Sequence, residues 1–379
     1  MSESEKFGPM PGNRMFEALH DAEAIIMACN TRIVPGVVKG IFRAAKKLDT
    51  AVIFELAKSE SDLEGGYTGL TPEDYSAAVN EAAREVGFSK WVLHADHITV
   101  KKGTDEELEG VKKLIEAQIN AGYTSYAIDA SFLFDLNGST VVDQLQKNID
   151  VTEKLANFIK EKMGDKEFGL ECEVGEIGKK DEGGLVLTTP EEAATFIKEL
   201  NSRSIFPQLL AIANGSTHGN IYDDEGNLIS QVSINIEQTV EIAKEIEGLN
   251  VRIAQHGITG TPLKFISTKF PKGMILKGNV GTFWMNLAWE VFEIFEPELY
   301  EDIWNWTIDT YKDAAAKKGI TKNNEVFGKF SKFAIKEFKD RIYSVNDETK
   351  EALEAKAYAG AMMFFKAFDS VGSADRIKS

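Results

Sequence analysis

The sequence predicts an α/β fold in which eight βα units close into a parallel barrel, a (β/α)8 TIM barrel, followed by a helical C-terminal extension. Three observations carry this prediction. A short apolar run followed by an amphipathic helical stretch recurs about eight times over residues 24–282, and eight units close a parallel barrel. Polar, metal-binding side chains stand where these apolar runs end, as in barrel active sites. The remaining residues show helical spacing of aromatic side chains.

Each unit contains a strand of apolar or β-branched residues and then a helix. Two of the helices open with Thr-Pro-Glu, at 71–73 and 189–191, which is a helix start signal. The predicted strands are Ala24–Cys29, Ala51–Leu56, Trp91–Asp96, Ser125–Asp129, Phe168–Val174, Leu209–Ala213, Val251–Gln255 and Met274–Lys277. The predicted helices are 34–48, 71–86, 104–120, 141–162, 189–200, 235–246 and 262–268. We expect a barrel domain over 1–282 and an extension over 283–379 packed on it.

Composition narrows the class of function. The chain has 379 residues and a net charge of -17, which argues against nucleic acid or an anionic membrane surface as a partner. A phosphorylated substrate would need local backbone amides and a few placed cations. The two cysteines, Cys29 and Cys172, cannot form a disulfide framework and indicate a reducing compartment. Because no apolar leader or membrane-length run is present, we expect a cytoplasmic enzyme.

The third predicted strand ends in the group His94, Asp96 and His97. Side chains alternate along a strand, so His94 and Asp96 share one face, and His97 follows just past the strand end. Of the three other histidines, His218 follows the sixth strand and His256 ends the seventh. Any one of these could be a hydrogen-bonded core residue, but four at one rim favour a metal site. Neutral imidazoles from three strands suit Zn²⁺ with one position open for substrate.

The fifth strand and the glycine turns extend this site. Glu171 and Glu173 point to one face of the fifth strand, and Glu173, nearer the strand end, is a candidate oxygen ligand. Glycine turns with Ser or Thr follow His218, His256 and the eighth strand. Such turns let backbone amides approach a phosphate, which barrels often bind after strands seven and eight.

Taken together, these motifs resemble the class II, zinc-dependent ketose-bisphosphate aldolases, and fructose-bisphosphate aldolase most. The resemblance runs in order over about residues 24–282. The motifs that carry it are His94–His97, Gly122–Ser131, Glu171–Gly175, Thr189–Ala193, Asn214–Gly219, His256–Gly260 and Asn279–Thr282.

The resemblance implies reversible cleavage of fructose 1,6-bisphosphate to dihydroxyacetone phosphate and glyceraldehyde 3-phosphate, by a homodimer or homotetramer. It implies that Asp96 handles the proton of the C4 hydroxyl and that Glu182 is the second acid/base. A monovalent cation, Na⁺ or K⁺, would lie near one phosphate. The implied Zn²⁺ ligands are His97, His218 and His256, with Glu173 as an additional or alternate ligand. The implied phosphate- or substrate-binding residues are Asn30, Gly219, Gly257, Thr259, Asn279 and Thr282.

Departures from the family pattern leave alternatives open. Gly281 stands where fructose-bisphosphate members have Asp and tagatose-bisphosphate members a small residue, so tagatose 1,6-bisphosphate or another ketose phosphate is an alternative substrate. The loop after the fifth strand reads Gly-Lys-Lys-Asp-Glu-Gly, so Asp181 and Glu176 are alternatives to Glu182. No cation is matched to the distal phosphate, for which Arg341 is one candidate.

Three other functions fit the sequence less well. A Schiff-base aldolase could use Lys277 on the last strand, but the histidines would then have no role. A non-catalytic barrel subunit of a tagatose-bisphosphate aldolase is disfavoured by the presence of all the metal histidines and Asp96. A zinc hydrolase with a barrel fold is disfavoured by the glycine turns.

Overall fold

Eight parallel strands form a closed barrel in the computed structural model, which describes residues 6–175, 180–181, 184–217, 219–230 and 233–378. The strands follow one another around the barrel in chain order, and the last pairs with the first. The predicted fold class is confirmed. The strands are β1 Ile26–Asn30, β2 Val52–Ala57, β3 Trp91–Thr99, β4 Ser125–Asp129, β5 Gly169–Glu173, β6 Leu209–Ala211, β7 Arg252–Gln255 and β8 Ile275–Val280.

Helices connect successive strands. Thr71 and Thr189, at the two Thr-Pro-Glu signals, are N-cap residues, and each hydroxyl accepts a hydrogen bond from the backbone N–H three residues later. Proline then occupies the first helical position, where its missing N–H costs nothing. The helices between the strands are Val37–Leu48, Pro72–Val86, Asp105–Asn120, Val141–Met163, Pro190–Ser202, Ile236–Glu245 and Leu263–Lys269.

The chain after β8 is helical and packs on the barrel. The long final helix lies against Val37–Leu48, and a Cβ at Gly40 would collide with the Glu354 carbonyl oxygen. Close helix contact therefore requires glycine at position 40. The helices of this part are Thr282–Phe295, Pro297–Ala316, Asn323–Phe330, Ala334–Glu337, Lys339–Tyr343 and Asp347–Ala367. Within the described ranges, no helix combines the length and apolar composition needed to cross a bilayer.

The amino-terminal end of the barrel is closed and apolar. The helix Gly12–Ala18 lies against β3 and β5, and its Met15 and Phe16 are buried in a cluster with inward side chains such as Val92 and Leu276. This plug leaves the carboxyl end as the open end of the barrel, so the polar side chains there face a cavity.

Candidate active site

A cavity of about 630 Å³ lies at the carboxyl ends of the barrel strands. Because the strands are parallel, all their carboxyl ends meet at this one rim. Six strands, or the residues directly after them, contribute acidic, amide or imidazole side chains to its wall. These side chains are Asn30, Asp96, His97, Asp129, Glu173, His256 and Asn279.

Strand β3 is irregular where the predicted site residues lie. It continues to Thr99, beyond the end that the sequence predicted, and its register with β4 shifts between Ala95 and Ile98. His97 has a φ of 38°, in the left-handed region. Regular alternation would send Asp96 and His97 to opposite faces. The bulge lets both consecutive side chains line the cavity.

An outer cluster of four residues, His97, Asp129, Glu173 and His256, lies at the rim. His97 Nδ1 is 3.0 Å from Glu173 Oε2 and 3.6 Å from Asp129 Oδ2. The His97 and His256 ring centres are 4.4 Å apart. Ligand atoms of His97, Asp129 and Glu173 all lie within 4.8 Å of one another, as do those of Asp96, His97 and His256. Imidazole and carboxylate sets of this kind can hold a metal ion such as Zn²⁺.

The ionisation of the outer cluster is strongly perturbed. Burial, reinforced by the neighbouring Asp129, raises the pKa of Glu173 to about 8. Burial works against a charged imidazole, yet the carboxylates of Asp96 and Glu173 hold the pKa of His97 well above its usual value. Acidic groups this close, in a buried place, favour a bound cation or a shared proton.

Asp96 is buried at the centre of the site, between two amides. Asn30 Nδ2 donates to Asp96 Oδ2 at 2.9 Å, and Asn279 Nδ2 donates to Oδ1 at 3.3 Å. Burial opposes ionisation, but nearby His97 and Lys277 hold the pKa of Asp96 well below its usual range. The carboxylate is therefore ionised and fixed in orientation, with its charge facing the cavity.

A second, inner cluster of Glu55, His94, Glu171 and Lys277 lies one layer below and is fully buried. Lys277 Nζ is 2.7 Å from Glu171 Oε2 and 2.9 Å from Glu55 Oε2. His94 Nε2 is 3.4 Å from Glu171 Oε2. Glu171 Oε1 is 2.8 Å from His256 Nε2, which links the inner cluster to the outer one. Burial opposes ionisation of Glu171, but Lys277 and His256 lower its pKa. Burial lowers the pKa of His256. We therefore assign a neutral His256 imidazole that donates to the Glu171 carboxylate.

The glycine turns also face the cavity. Gly219, Gly257, Thr259 and Thr282 all line it. Gly257 has a φ of 66°, and a Cβ there would lie 2.7 Å from the Thr217 carbonyl oxygen. Glycine is therefore required for this close turn.

Four cations in the cavity wall were not predicted from the sequence: Arg32, Lys58, Lys101 and Lys332. Arg32 Nη1 donates to Thr282 Oγ1 at 3.3 Å. Arg32 follows β1 by two residues, so its position after a strand end was a signal in the sequence. Lys332 lies in the turn Ser331–Phe333 of the C-terminal extension, where no local pattern marks it.

The other cations are placed differently. Lys58 and Lys101 line the opposite wall, formed by the chain after β2 and β3, and Lys58 Nζ donates to the Thr99 carbonyl oxygen at 2.8 Å. Arg341 does not line this cavity; its Nη1 pairs with Asp302 Oδ2 at 2.6 Å on the surface. The candidate role of Arg341 at the distal phosphate stays a prediction.

Two of the predicted site residues, His218 and Glu182, lie outside the described residues, as does the alternative acid Glu176. The backbone of Asp181 lies in the short strand Lys180–Asp181, which pairs with Gly184–Leu185.

A family profile matches most of the chain, and curated relatives match parts of it. The sequence profile of the family "Fructose-bisphosphate aldolase class-II" matches residues 11–338. A D-tagatose 6-phosphate 4-epimerase of Agrobacterium fabrum is 29% identical over 133 residues, 32% of this chain and 31% of that protein. The D-tagatose-1,6-bisphosphate aldolase subunit GatZ of Salmonella choleraesuis is 30% identical over 121 residues, 30% of this chain and 29% of that protein. The match thus spans less than a third of these curated relatives.

Solved structures share the fold over nearly the whole chain. A fructose-bisphosphate aldolase from Campylobacter jejuni superposes with a TM-score of 0.61 at 17% identity, covering 97% of both chains. The fructuronate-tagaturonate epimerase UxaE from Cohnella laeviribosi has a TM-score of 0.65 at 12% identity, covering 97% of this chain and 84% of that one. At these identities, the likeness shows the fold alone.

Proposed function

The chain belongs to the class II fructose-bisphosphate aldolase family, and from this premise we propose that it catalyses the metal-dependent, reversible aldol cleavage of a ketose 1,6-bisphosphate. Fructose 1,6-bisphosphate is the first candidate substrate, with dihydroxyacetone phosphate and glyceraldehyde 3-phosphate as products. Tagatose 1,6-bisphosphate is the alternative. The observation that supports the proposal most is the meeting of His97, Glu173 and His256 beside an ionised Asp96 in one cavity.

We propose that a divalent ion, Zn²⁺, is held by His97, Glu173 and His256, with His218 as a further ligand. The donor set fits this ion, because three imidazoles and a carboxylate are typical zinc ligands. Glu171 accepts the Nε2 proton of His256, an outer contact that orients a ligating imidazole. When bound, the ion supplies Lewis-acid stabilisation of the negative charge that develops on the substrate oxygens.

Asp96 is the proposed base. As the C3–C4 bond breaks, the C4 hydroxyl proton passes to an Asp96 carboxylate oxygen, and the electron pair of the broken bond stays with the dihydroxyacetone phosphate half. Asn30 and Asn279 hold the Asp96 carboxylate in orientation, so no rearrangement is needed before proton transfer. A second acid then returns a proton to C3. Glu182 is the proposed group, with Asp181 and Glu176 as alternatives.

Phosphate binding is proposed at two walls of the cavity. Gly219, Gly257, Thr259 and Thr282 would hold the phosphate of the dihydroxyacetone phosphate half, with Na⁺ or K⁺ nearby. Lys58 and Lys101 line the opposite wall and are candidates for the second phosphate. A substrate with an anionic group at each end fits this distribution of charge.

A Schiff-base mechanism through Lys277 is disfavoured. This ammonium is fully buried between Glu55 and Glu171, and despite the burial these carboxylates hold its pKa above its usual value. A nucleophilic lysine needs a lowered pKa. Lys277 is therefore proposed as a structural counter-charge.

A second candidate function is C4 epimerisation of a ketose phosphate, favoured by the relative described as a tagatose 6-phosphate 4-epimerase. The same residues could serve it, because cleavage followed by addition to the other face of the aldehyde inverts C4. The two functions differ in whether the aldehyde leaves the cavity.

The test is a metal analysis combined with assays on fructose and tagatose 1,6-bisphosphates and on tagatose 6-phosphate, with and without a chelator. We expect bound zinc, chelator-sensitive triose release from one bisphosphate, and a loss of about 10²–10⁴-fold in turnover for Asp96→Asn with zinc retained. Release of no triose together with C4 inversion would replace the aldolase with the epimerase. Bound zinc without either activity would favour a non-catalytic subunit.

A further inference from the structure

Two cations face the cavity beside a single carboxylate. Arg32 Nε pairs with Glu60 Oε1 at 2.6 Å, and Arg32 Nη1 donates to the Thr282 hydroxyl at 3.3 Å. Lys332 Nζ lies 5.4 Å from the centre of the Tyr67 ring and lines the same cavity. The arrangement brings a guanidinium, an ammonium and a hydroxyl to one part of the wall.

The carboxylate of Glu60 cannot neutralise both cations. It already accepts hydrogen bonds from Arg32, from the Tyr67 hydroxyl at 2.8 Å, from Asn30 Nδ2 at 3.2 Å and from the Ala57 N–H at 3.0 Å. Lys332 makes no hydrogen bond or ion pair within the described part of the chain. Burial and the nearby Arg32 lower its pKa. Among the side chains in direct contact here, two cations therefore meet one carboxylate, in a chain whose net charge is -17.

The turn that carries Lys332 is held in place. Trp289 Nε1 donates to the buried Ser331 hydroxyl at 3.1 Å. Phe333 stacks on Tyr311 with ring centres 5.3 Å apart and meets Tyr67 edge-on at 5.6 Å. The residues on both sides of Lys332 are thus packed, and its side chain reaches the cavity from a fixed backbone.

Gly281 leaves room for this arrangement. A Cβ at position 281 would lie 3.2 Å from Arg32 Nη2, tighter than an ordinary contact. Glycine at this position therefore lets the Arg32 guanidinium come up beside Thr282.

We propose that Arg32, Lys332 and the Thr282 hydroxyl form a subsite for a phosphate group, so that the C-terminal extension completes the substrate site. The proposal rests on the proposed function only in assigning this phosphate to the dihydroxyacetone phosphate half of the substrate. A phosphate would compensate the excess charge, accept from the guanidinium in its preferred geometry and accept from the hydroxyl.

The test compares the Lys332→Met variant with the wild type, both loaded with metal. Binding of inorganic phosphate is followed by calorimetry, and KM and kcat are measured for proton exchange at C3 of dihydroxyacetone phosphate. We expect the phosphate Kd and the KM to rise about tenfold or more and kcat to stay within about twofold, because the interaction binds ground state and transition state alike. Lys332→Arg, which keeps the charge, should retain most of the affinity.

Lys329→Met is the matched control, since Lys329 belongs to the same extension but pairs with Glu325 at 3.0 Å and does not line the cavity. It should leave phosphate binding unchanged. Wild-type affinities in Lys332→Met, or equal losses in Lys329→Met, would overturn the subsite. Thermal unfolding checks folding, and Lys332→Gln serves if the Met variant is unstable. A protein that binds phosphate through Lys332 yet acts on no ketose phosphate would overturn the proposed function and leave the subsite standing.

Discussion

Glu171 and Glu173 lie two residues apart on β5, on the same face, and both are buried. The pKa values of the two carboxyl groups are nevertheless shifted in opposite directions. Although burial opposes it, Lys277 and His256 hold the pKa of Glu171 well below its usual value, whereas burial and the adjacent Asp129 raise that of Glu173 to about 8. Both residues are glutamates, so the layer of the barrel in which each carboxyl group lies decides whether it is ionised.

This difference indicates a structural role for the inner cluster and a chemical role for the outer one. In the inner cluster, Glu171 has an ammonium and an imidazole within hydrogen-bonding distance, so its charge is compensated by the protein itself. In the outer cluster, His97 is the one ion-pair partner that Glu173 and Asp129 share within the described part of the chain, so positive charge is short there. A divalent ion would supply it. The clusters are linked by the contact between His256 and Glu171, through which the fixed layer orients the reactive one.

The largest expected effect is the loss of the inner cation. Lys277→Met leaves the carboxylates of Glu171 and Glu55 buried without their ammonium, and breaking a buried pair in this way costs about 3–5 kcal/mol. Urea unfolding of the metal-free protein measures it. Lys162→Met is the control, since Lys162 pairs with Glu116 on the surface and its loss should cost less than about 1 kcal/mol. A cost for Lys277→Met as small as that of the control would show that the inner charges are not held by Lys277.

The next effect falls on metal affinity. Glu173→Gln removes a proposed ligand, so zinc affinity should fall by more than the roughly 10–100-fold that loss of an outer partner causes, while the metal-free variant should be at least as stable as the metal-free wild type. Competition with a chelating dye measures the affinity. Glu167→Gln, two residues before β5 and paired with Arg14 on the surface, should leave it unchanged. Unaltered zinc binding in Glu173→Gln would remove Glu173 from the ligand set.

The fold and the position of the polar residues at one rim of the barrel were predictable, because both depend on local patterns. Apolar runs alternate with amphipathic stretches along the chain, His256 directly follows a strand, and Asp96 lies near the end of one. The parallel barrel then brings them to one rim without further information. The bulge that turns both Asp96 and His97 into the cavity was not predictable, since it is set by the register with β4.

The cations of the cavity wall show the limit of local patterns. Arg341 of the extension lies on the surface, whereas Lys332 reaches the cavity, because the packing of Ser331 and Phe333 fixes the turn between them. The opposite pKa shifts of Glu171 and Glu173 likewise depend on partners from other strands. Contacts between segments that are remote in the sequence leave no periodic signal.

A smaller effect separates the clusters by pH. In the metal-free protein, the pKa of Glu173 is raised from 4.5 to about 8, so the folded state binds this proton more tightly than the unfolded state. That contribution to stability is complete below pH 4.5 and is lost as the pH rises through 8. Relative to Glu173→Gln, the chelated wild type should lose up to about 1.4 kcal/mol per pH unit between pH 5 and 8.

The inner acid serves as the comparison for this pH experiment. Because the pKa of Glu171 is lowered, this group is ionised in both states above pH 5, so Glu171→Gln should lower stability without changing its slope with pH. Excess zinc should abolish the slope due to Glu173. Parallel curves for wild type and Glu173→Gln would mean that Glu173 is ionised at neutral pH without a metal.

The smallest effect comes from the far side of the inner cluster. His94 Nδ1 and the Ser125 hydroxyl are 2.7 Å apart and fully buried, so Ser125→Ala should cost about 1 kcal/mol of unfolding free energy by leaving one ring nitrogen without that partner. His94 does not line the cavity, so zinc affinity and turnover should not change. Ser202→Ala, on an exposed helix end, should be nearly neutral. A tenfold loss of zinc affinity in Ser125→Ala would contradict the separation of the clusters, because loss of a hydrogen-bond partner on the far side of the inner cluster would then reach the metal.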